Sequence, residues 1–197
     1  MNTSATSKIL VLGPAWVGDM VIAQSLFKTL KSNNPDCVID VAAPAWTLPL
    51  IERMPEVNKG IALPFKHGQF SLFERIKFGK SLQNEAYTQA IILTNSFKSA
   101  ILPFAANIPQ RTSFLGEMRY GLINDIRELD KIKLPRTVDR FVTLGLNKNA
   151  QLPANIPNPS LIANKENAYV QSKKTADSRH HRDATNIAVP TKTSDRA

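Results

Sequence analysis

Lys8-Ile9-Leu10-Val11-Leu12-Gly13-Pro14-Ala15-Trp16-Val17-Gly18-Asp19-Met20 decides the fold. The apolar run Ile9 to Leu12 ends at Gly13 and reads as a strand buried on both faces. Gly13 and Gly18 bracket a short turn, and an amphipathic run follows from Asp19 to about Lys31. Met20, Ala23, Gln24, Phe27 and Leu30 recur there with the helical period. Strand, glycine turn and helix start open an α/β unit, whose ligands bind outside the carboxyl ends of the strands. Asp19 stands at that edge.

The same alternation continues. Strands are expected at 37–43, 58–63, 89–95 and 111–115, with helices near 47–54, 71–85, 96–105 and 137–147. Thr47 and Ser71 are expected as helix caps, Ser71 with Glu74 in a capping box. Helical spacing places Ala100, Ile101, Leu102, Phe104 and Ala105 on or near a buried side. The fold class is therefore α/β, a mostly parallel sheet with flanking helices, over one domain at 8–149. A linker-like segment, 150–169, has three prolines between Gln151 and Pro159. Residues 170–197 form a tail without Leu, Phe, Trp, Tyr or Met after Gln171, expected to be disordered.

Among 197 residues, 25 Lys and Arg face 16 Asp and Glu, a formal charge of +9 that favours an anionic partner. The charge is dispersed, 18 basic against 12 acidic residues in 1–150. It lacks the dense stripe of a nucleic-acid footprint, so no nucleic acid is expected. The single cysteine, Cys37, excludes an internal disulfide and reads as a small buried hydrophobe. Without a long apolar run or a secretory leader pattern, a cytoplasmic protein is expected. No phosphate loop, nucleophile elbow or metal pattern occurs, and no metal or cofactor is expected.

Asp19 has two readings, a helix cap or a general base within reach of a substrate hydroxyl. Asn95, Ser96 and Lys98 follow a central strand; Ser96 reads as an N-cap and Lys98 as solvent-facing, or the three bind sugar hydroxyls and an anion. Lys66, His67, Arg75, Arg111, Arg119 and Arg127 read as a scattered basic surface or an anion-binding face. Glu117 and Arg119 lie in the loop Gly116 to Gly121, a candidate lip of the site. Trp16 and Trp46 either pack over helices or form a platform beside a sugar.

The opening stretch resembles the amino terminus of lipopolysaccharide heptosyltransferases, closest to the branch that adds the second inner-core heptose. Ala43-Pro44-Ala45-Trp46, Met54-Pro55-Glu56-Val57, Asn95-Ser96-Phe97-Lys98-Ser99-Ala100, Arg111-Thr112 and Leu115-Gly116-Glu117-Met118-Arg119-Tyr120-Gly121 extend the likeness across about 8–146. The resemblance implies a Rossmann-like acceptor-side domain, the amino-terminal half of a two-domain GT-B glycosyltransferase. It implies inverting transfer of heptose from ADP-heptose to a phosphorylated lipopolysaccharide inner core, with peripheral contact at the inner membrane. Asp19 matches the base, and Trp16, Gly18, Asn95, Ser96, Lys98, Glu117 and Arg119 match acceptor-side positions. The likeness ends near Glu166, so a truncated or frameshifted chain, inactive alone and lacking the half that binds ADP-heptose, is expected. The alternative is a non-catalytic module that binds anionic glycolipid.

Overall fold

The computed structural model describes residues 7–65 and 70–163. The chain divides into one compact unit at 1–161 and a second at 162–197. The expectation for residues 170–197 falls outside the described residues, as do Lys66 and His67.

Six parallel strands form one sheet: β1 (Lys8–Leu12), β2 (Val38–Ala43), β3 (Lys59–Ala62), β4 (Gln89–Ile92), β5 (Gln110–Phe114) and β6 (Asp125–Arg127). Among the described residues five α-helices connect or cover them: α1 (Val17–Asn33), α2 (Leu48–Ile51), α3 (Leu72–Ser81), α4 (Phe97–Ala105) and α5 (Thr137–Leu144). The spatial order β3-β2-β1-β4-β5-β6 reverses direction between β1 and β4. At such a switch point the loops leaving the two strands part to opposite faces and open a crevice.

The period of two along the strands divides the core. Ile9, Val11, Ile39, Val41 and Ile91 pack on one face with Met20, Phe27 and Leu30 of α1 and Phe141 of α5. Leu10, Leu12, Ala90 and Ile92 pack on the other with Ala100 and Leu102 of α4. α3 and α4 approach closely because position 79 has no side chain. A Cβ on Gly79 would lie 2.6 Å from the Leu102 carbonyl and 2.7 Å from Ala105 Cβ.

Several details depart from the sequence reading. α1 begins at Val17, so Gly18 belongs to its first turn rather than to the preceding loop. Neither Thr47 nor Ser71 makes a capping bond; Thr47 Oγ1 donates to the Pro44 carbonyl, and Ser71 has φ 40°. The capping box instead belongs to α5, where Asp139 accepts the Arg136 amide and pairs with its guanidinium at 2.7 Å. β6 lacks an apolar run and forms through pairing with β5. Phe104 is 48% exposed, with the Arg111 guanidinium 5.5 Å from its ring centroid.

The compact unit continues past Asn149. Gln24 holds residues 158–161 to α1, accepting the Ser160 amide and donating to its carbonyl, both at 2.8 Å. Lys28 donates to the Asn158 carbonyl and to Ser160 Oγ. Leu152 and Leu161 add apolar contact with the α1 side of the core.

Asp125 ties β6 to the sheet. Burial raises its carboxyl pKa, but hydrogen bonds from Arg127, Thr112 and Gln110 outweigh that and hold it below the usual aspartate range. Such a group contributes stability above its unfolded pKa and loses it as pH falls through the lower folded value. Asp125→Asn is therefore expected to lower the urea midpoint at neutral pH, with the gap from wild type closing below about pH 4. A gap independent of pH between 7 and 2 refutes this account. Gly79→Ala is expected to cost about 1–3 kcal/mol in urea unfolding through overpacking of α3 on α4.

Candidate active site

The crevice is built from the ends of β1, β2 and β4. A cavity of about 150 Å³ opens there, lined by Gly13 and Ala15 after β1, Trp46 after β2, and Thr94, Ser96 and Lys98 after β4. Arg75 of α3 and Phe65 complete its wall. The Arg75 guanidinium is 4.3 Å from the Phe65 ring centroid, and its Nε donates to the Phe70 carbonyl. Burial lowers the Arg75 pKa from the ordinary arginine value. Lys98 is half-buried and makes no hydrogen bond or ion pair with another described residue. It is a cation available to an anionic group in the cavity.

Trp46 donates its indole N–H to the Ala15 carbonyl at 3.0 Å, so its ring stands over the β1–α1 turn. The turn leads directly to Trp16, the N-cap of α1, which is 75% exposed. Asp19 is the third helical residue, half-buried, with no hydrogen bond or ion pair to the described residues. It is not a cap. The first-turn position stabilises its negative charge through the amides and dipole of α1. A Cβ on Gly18 would meet nothing within 4 Å. The fold itself does not require glycine there, whereas close approach of a ligand to the backbone would.

Ser96 occupies the N-cap of α4, but its hydroxyl makes no capping bond. Glu117 supplies that bond from another loop, its carboxylate accepting the Phe97 amide at 2.9 Å. Asn95 is exposed, its side-chain amide makes no hydrogen bond to another described residue, and it lines a groove of about 1070 Å³ with Gly116, Arg127 and Lys133. The groove is separate from the cavity holding Lys98. Gly116 has φ 56°, and a Cβ there would fall 2.4 Å from the Asn95 carbonyl. The Glu117 amide donates to that carbonyl.

Arg119 requires a correction. It is fully buried, and all five guanidinium hydrogens have protein acceptors. Nε donates to the Leu115 carbonyl; one terminal nitrogen serves Thr94 O and Ser99 Oγ, and the other serves Ser113 Oγ and Phe114 O. Burial lowers its pKa from the usual value, and Glu117 works against that shift. No donor remains for a ligand, so Arg119 braces the crevice rather than contacting a substrate. Thr94 and Ala15 belong to the two strand-end segments that the sequence points to, but sequence spacing could not find Phe65, because its place depends on which strands become neighbours. Among the described residues no three His, Cys, Asp or Glu side chains cluster in a way that could hold a metal. No described helix is long and apolar enough to cross a membrane.

A doubly wound parallel sheet with a partly unpaired polar crevice at its switch point defines a ligand-binding domain of the Rossmann-like class. The sequence profile of glycosyltransferase family 9 (heptosyltransferase) matches residues 75–194, continuing past Glu166 where the motif-level likeness stops. The chain is 53% identical over 155 residues to lipopolysaccharide heptosyltransferase 2 of Salmonella typhimurium, covering 78% of this chain and 44% of that protein. It is 53% identical over 138 residues to lipooligosaccharide heptosyltransferase 2 of Haemophilus ducreyi, covering 70% and 39%. The solved structure of Escherichia coli ADP-heptose lipopolysaccharide heptosyltransferase II superposes with a TM-score of 0.77 at 44% identity, over 86% of this chain and 50% of that one. The chain belongs to glycosyltransferase family 9, the heptosyltransferases. It spans less than half the length of the curated relatives it matches.

Arg119→Lys keeps the charge but cannot serve five acceptors in the planar fork. It is expected to cost on the order of 2–4 kcal/mol in urea unfolding and to open the 115–121 loop to proteolysis. An unchanged midpoint would remove the bracing role.

Proposed function

We propose that this chain forms the acceptor side of an inverting heptosyltransferase, with Asp19 as the general base. The observation that carries the reading is the unpaired carboxylate of Asp19 in the first turn of α1, beside a backbone left open at Gly18. Every other part of that turn is either solvent-facing or packed.

In this reading a heptose hydroxyl of a lipopolysaccharide inner core lies against Gly18, and Asp19 accepts its proton. The freed oxygen bonds to the anomeric carbon of ADP-heptose from the side opposite ADP. The anomeric C–O bond breaks as ADP departs with the electron pair, which inverts the configuration. Lys98 takes a phosphate of the acceptor in the cavity, Ser96 and Asn95 hydrogen-bond sugar hydroxyls, and Trp16 supplies an apolar wall. Glu117 acts at one remove, holding the N-terminus of α4 where Ser96 and Lys98 begin. ADP-heptose would be held by a donor-side half beyond the residues described here. Since a lipid-borne acceptor sits on a bilayer, the reading also includes cytoplasmic, peripheral contact with the inner membrane.

The test joins this chain to the carboxyl-terminal half of the Salmonella typhimurium relative and measures heptose transfer from ADP-heptose to heptosylated lipopolysaccharide. Turnover is expected from the fusion and not from the chain alone. Asp19→Asn should reduce kcat by about 10²–10⁴-fold while leaving acceptor affinity near wild type. An active fusion whose Asp19→Asn variant turns over at the wild-type rate would eliminate Asp19 as the base. Acceptor binding without turnover in any fusion would favour the glycolipid-binding module instead.

A further inference from the structure

The outer face of the α3–α4 layer is unusual for a solvent-facing helical surface. On α3 the exposed positions Phe73, Lys77 and Lys80 recur at helical spacing, and Phe73 is 85% exposed. On α4, Phe97 and Phe104 lie two turns apart, 38% and 48% exposed. Phe70, 52% exposed, stacks on Phe97 with ring centroids 6.5 Å apart. These aromatic rings stand outside the core while Ile101 and Leu102 of the same layer are buried. The close contact at Gly79 packs the two helices together, and the Phe70–Phe97 stack joins the segment before α3 to the start of α4 on the exposed side.

The charges around the rings are mostly basic. Lys77 and Lys80 lie on the α3 stripe, and Arg111 covers Phe104. Glu74 on α3 and Glu117 at the start of α4 oppose them. Aromatic rings between lysines suit a bilayer interface, where the rings enter the headgroup boundary and the lysines reach anionic phosphates. The layer also provides Ser96 and Lys98 to the cavity.

We propose that the outer face of the α3–α4 layer, centred on Phe73 with Lys77, Lys80 and the Phe70–Phe97 stack, docks on an anionic phospholipid surface. Docked there, the protein presents the cavity beside the bilayer, where the sugar of a lipid-anchored acceptor can enter while its acyl chains stay in the membrane. The inference deepens the acceptor-side reading by naming the surface, but its own evidence is independent of the transfer chemistry.

The test is flotation of the full 197-residue chain with phosphatidylcholine vesicles, with and without phosphatidylglycerol and free of any acceptor or ADP-heptose. Binding is expected on the anionic vesicles only, weakening as salt is raised. Phe73→Ser combined with Lys77→Glu should reduce the bound fraction about tenfold with an unchanged thermal midpoint, since both side chains are exposed. Equal flotation on neutral and anionic vesicles, or wild-type binding by the double variant, overturns the proposal. So does self-association without lipid that Phe73→Ser abolishes, which would make this face an interface between copies. Because the vesicles carry no substrate, a failure here leaves the transfer reading standing, and a failed transfer assay leaves this one standing.

Discussion

The buried guanidinium of Arg119 holds the crevice together. A charge out of water is costly unless its hydrogen-bonding capacity is met, and here five donors meet five acceptors from the segment after β4, from α4, from β5 and from the loop after it. The arrangement requires the loop 115–121 to fold back over the end of β4. Gly116 permits that approach at positive φ, and Glu117 then reaches the first amide of α4. The position of Ser96 and Lys98 therefore depends on a residue that faces neither the cavity nor the solvent.

The two edges of the sheet differ in how their polar groups are satisfied. At the amino-terminal edge, buried Asp40 accepts from Tyr87 at 2.7 Å and Asn58 at 2.8 Å, with Lys8 and Lys59 near it. Glu85 bridges the same two lysines, which hold its carboxyl below the usual glutamate range. Burial and then Asp40 push the Tyr87 hydroxyl pKa upward, so it remains a donor. At the carboxyl-terminal edge Asp19, Asn95 and Lys98 have no such partners among the described residues. A closed network stabilises one arrangement, whereas unpaired groups beside a cavity retain their capacity for a ligand. This contrast supports the proposal that puts the chemistry at the carboxyl-terminal edge.

Much of this organisation is legible in the sequence. The apolar run at Ile9–Leu12, its glycine and the periodic helix after it required a buried strand followed by a packed helix, and the repeats of that pattern required a parallel sheet. Gly13 and Ala15 of the opening stretch, and Thr94, Ser96 and Lys98 after β4, line the cavity, whereas Gly18, Asp19 and the loop Gly116 to Gly121 are not among its lining residues. β6 was not legible because its three residues are held by pairing with β5 and by Asp125, not by an apolar pattern. Phe104 was misplaced for a related reason: spacing gives the phase of a helix but not the width of the face its neighbours cover.

By itself the sequence determined the alternation of strands and helices, the dispersed positive charge and the short segments that carry the family likeness. These follow from local periodicity and residue chemistry, which need no knowledge of what lies across the fold. Tertiary structure alone decided that Glu117 caps α4, that Ser96 leaves its hydroxyl free, and that Arg119 is a brace rather than a ligand-binding cation. Each role depends on segments twenty or so residues apart meeting at one strand end. A side chain's sequence fixes its donors and acceptors, but only the packed fold fixes which of them are already taken.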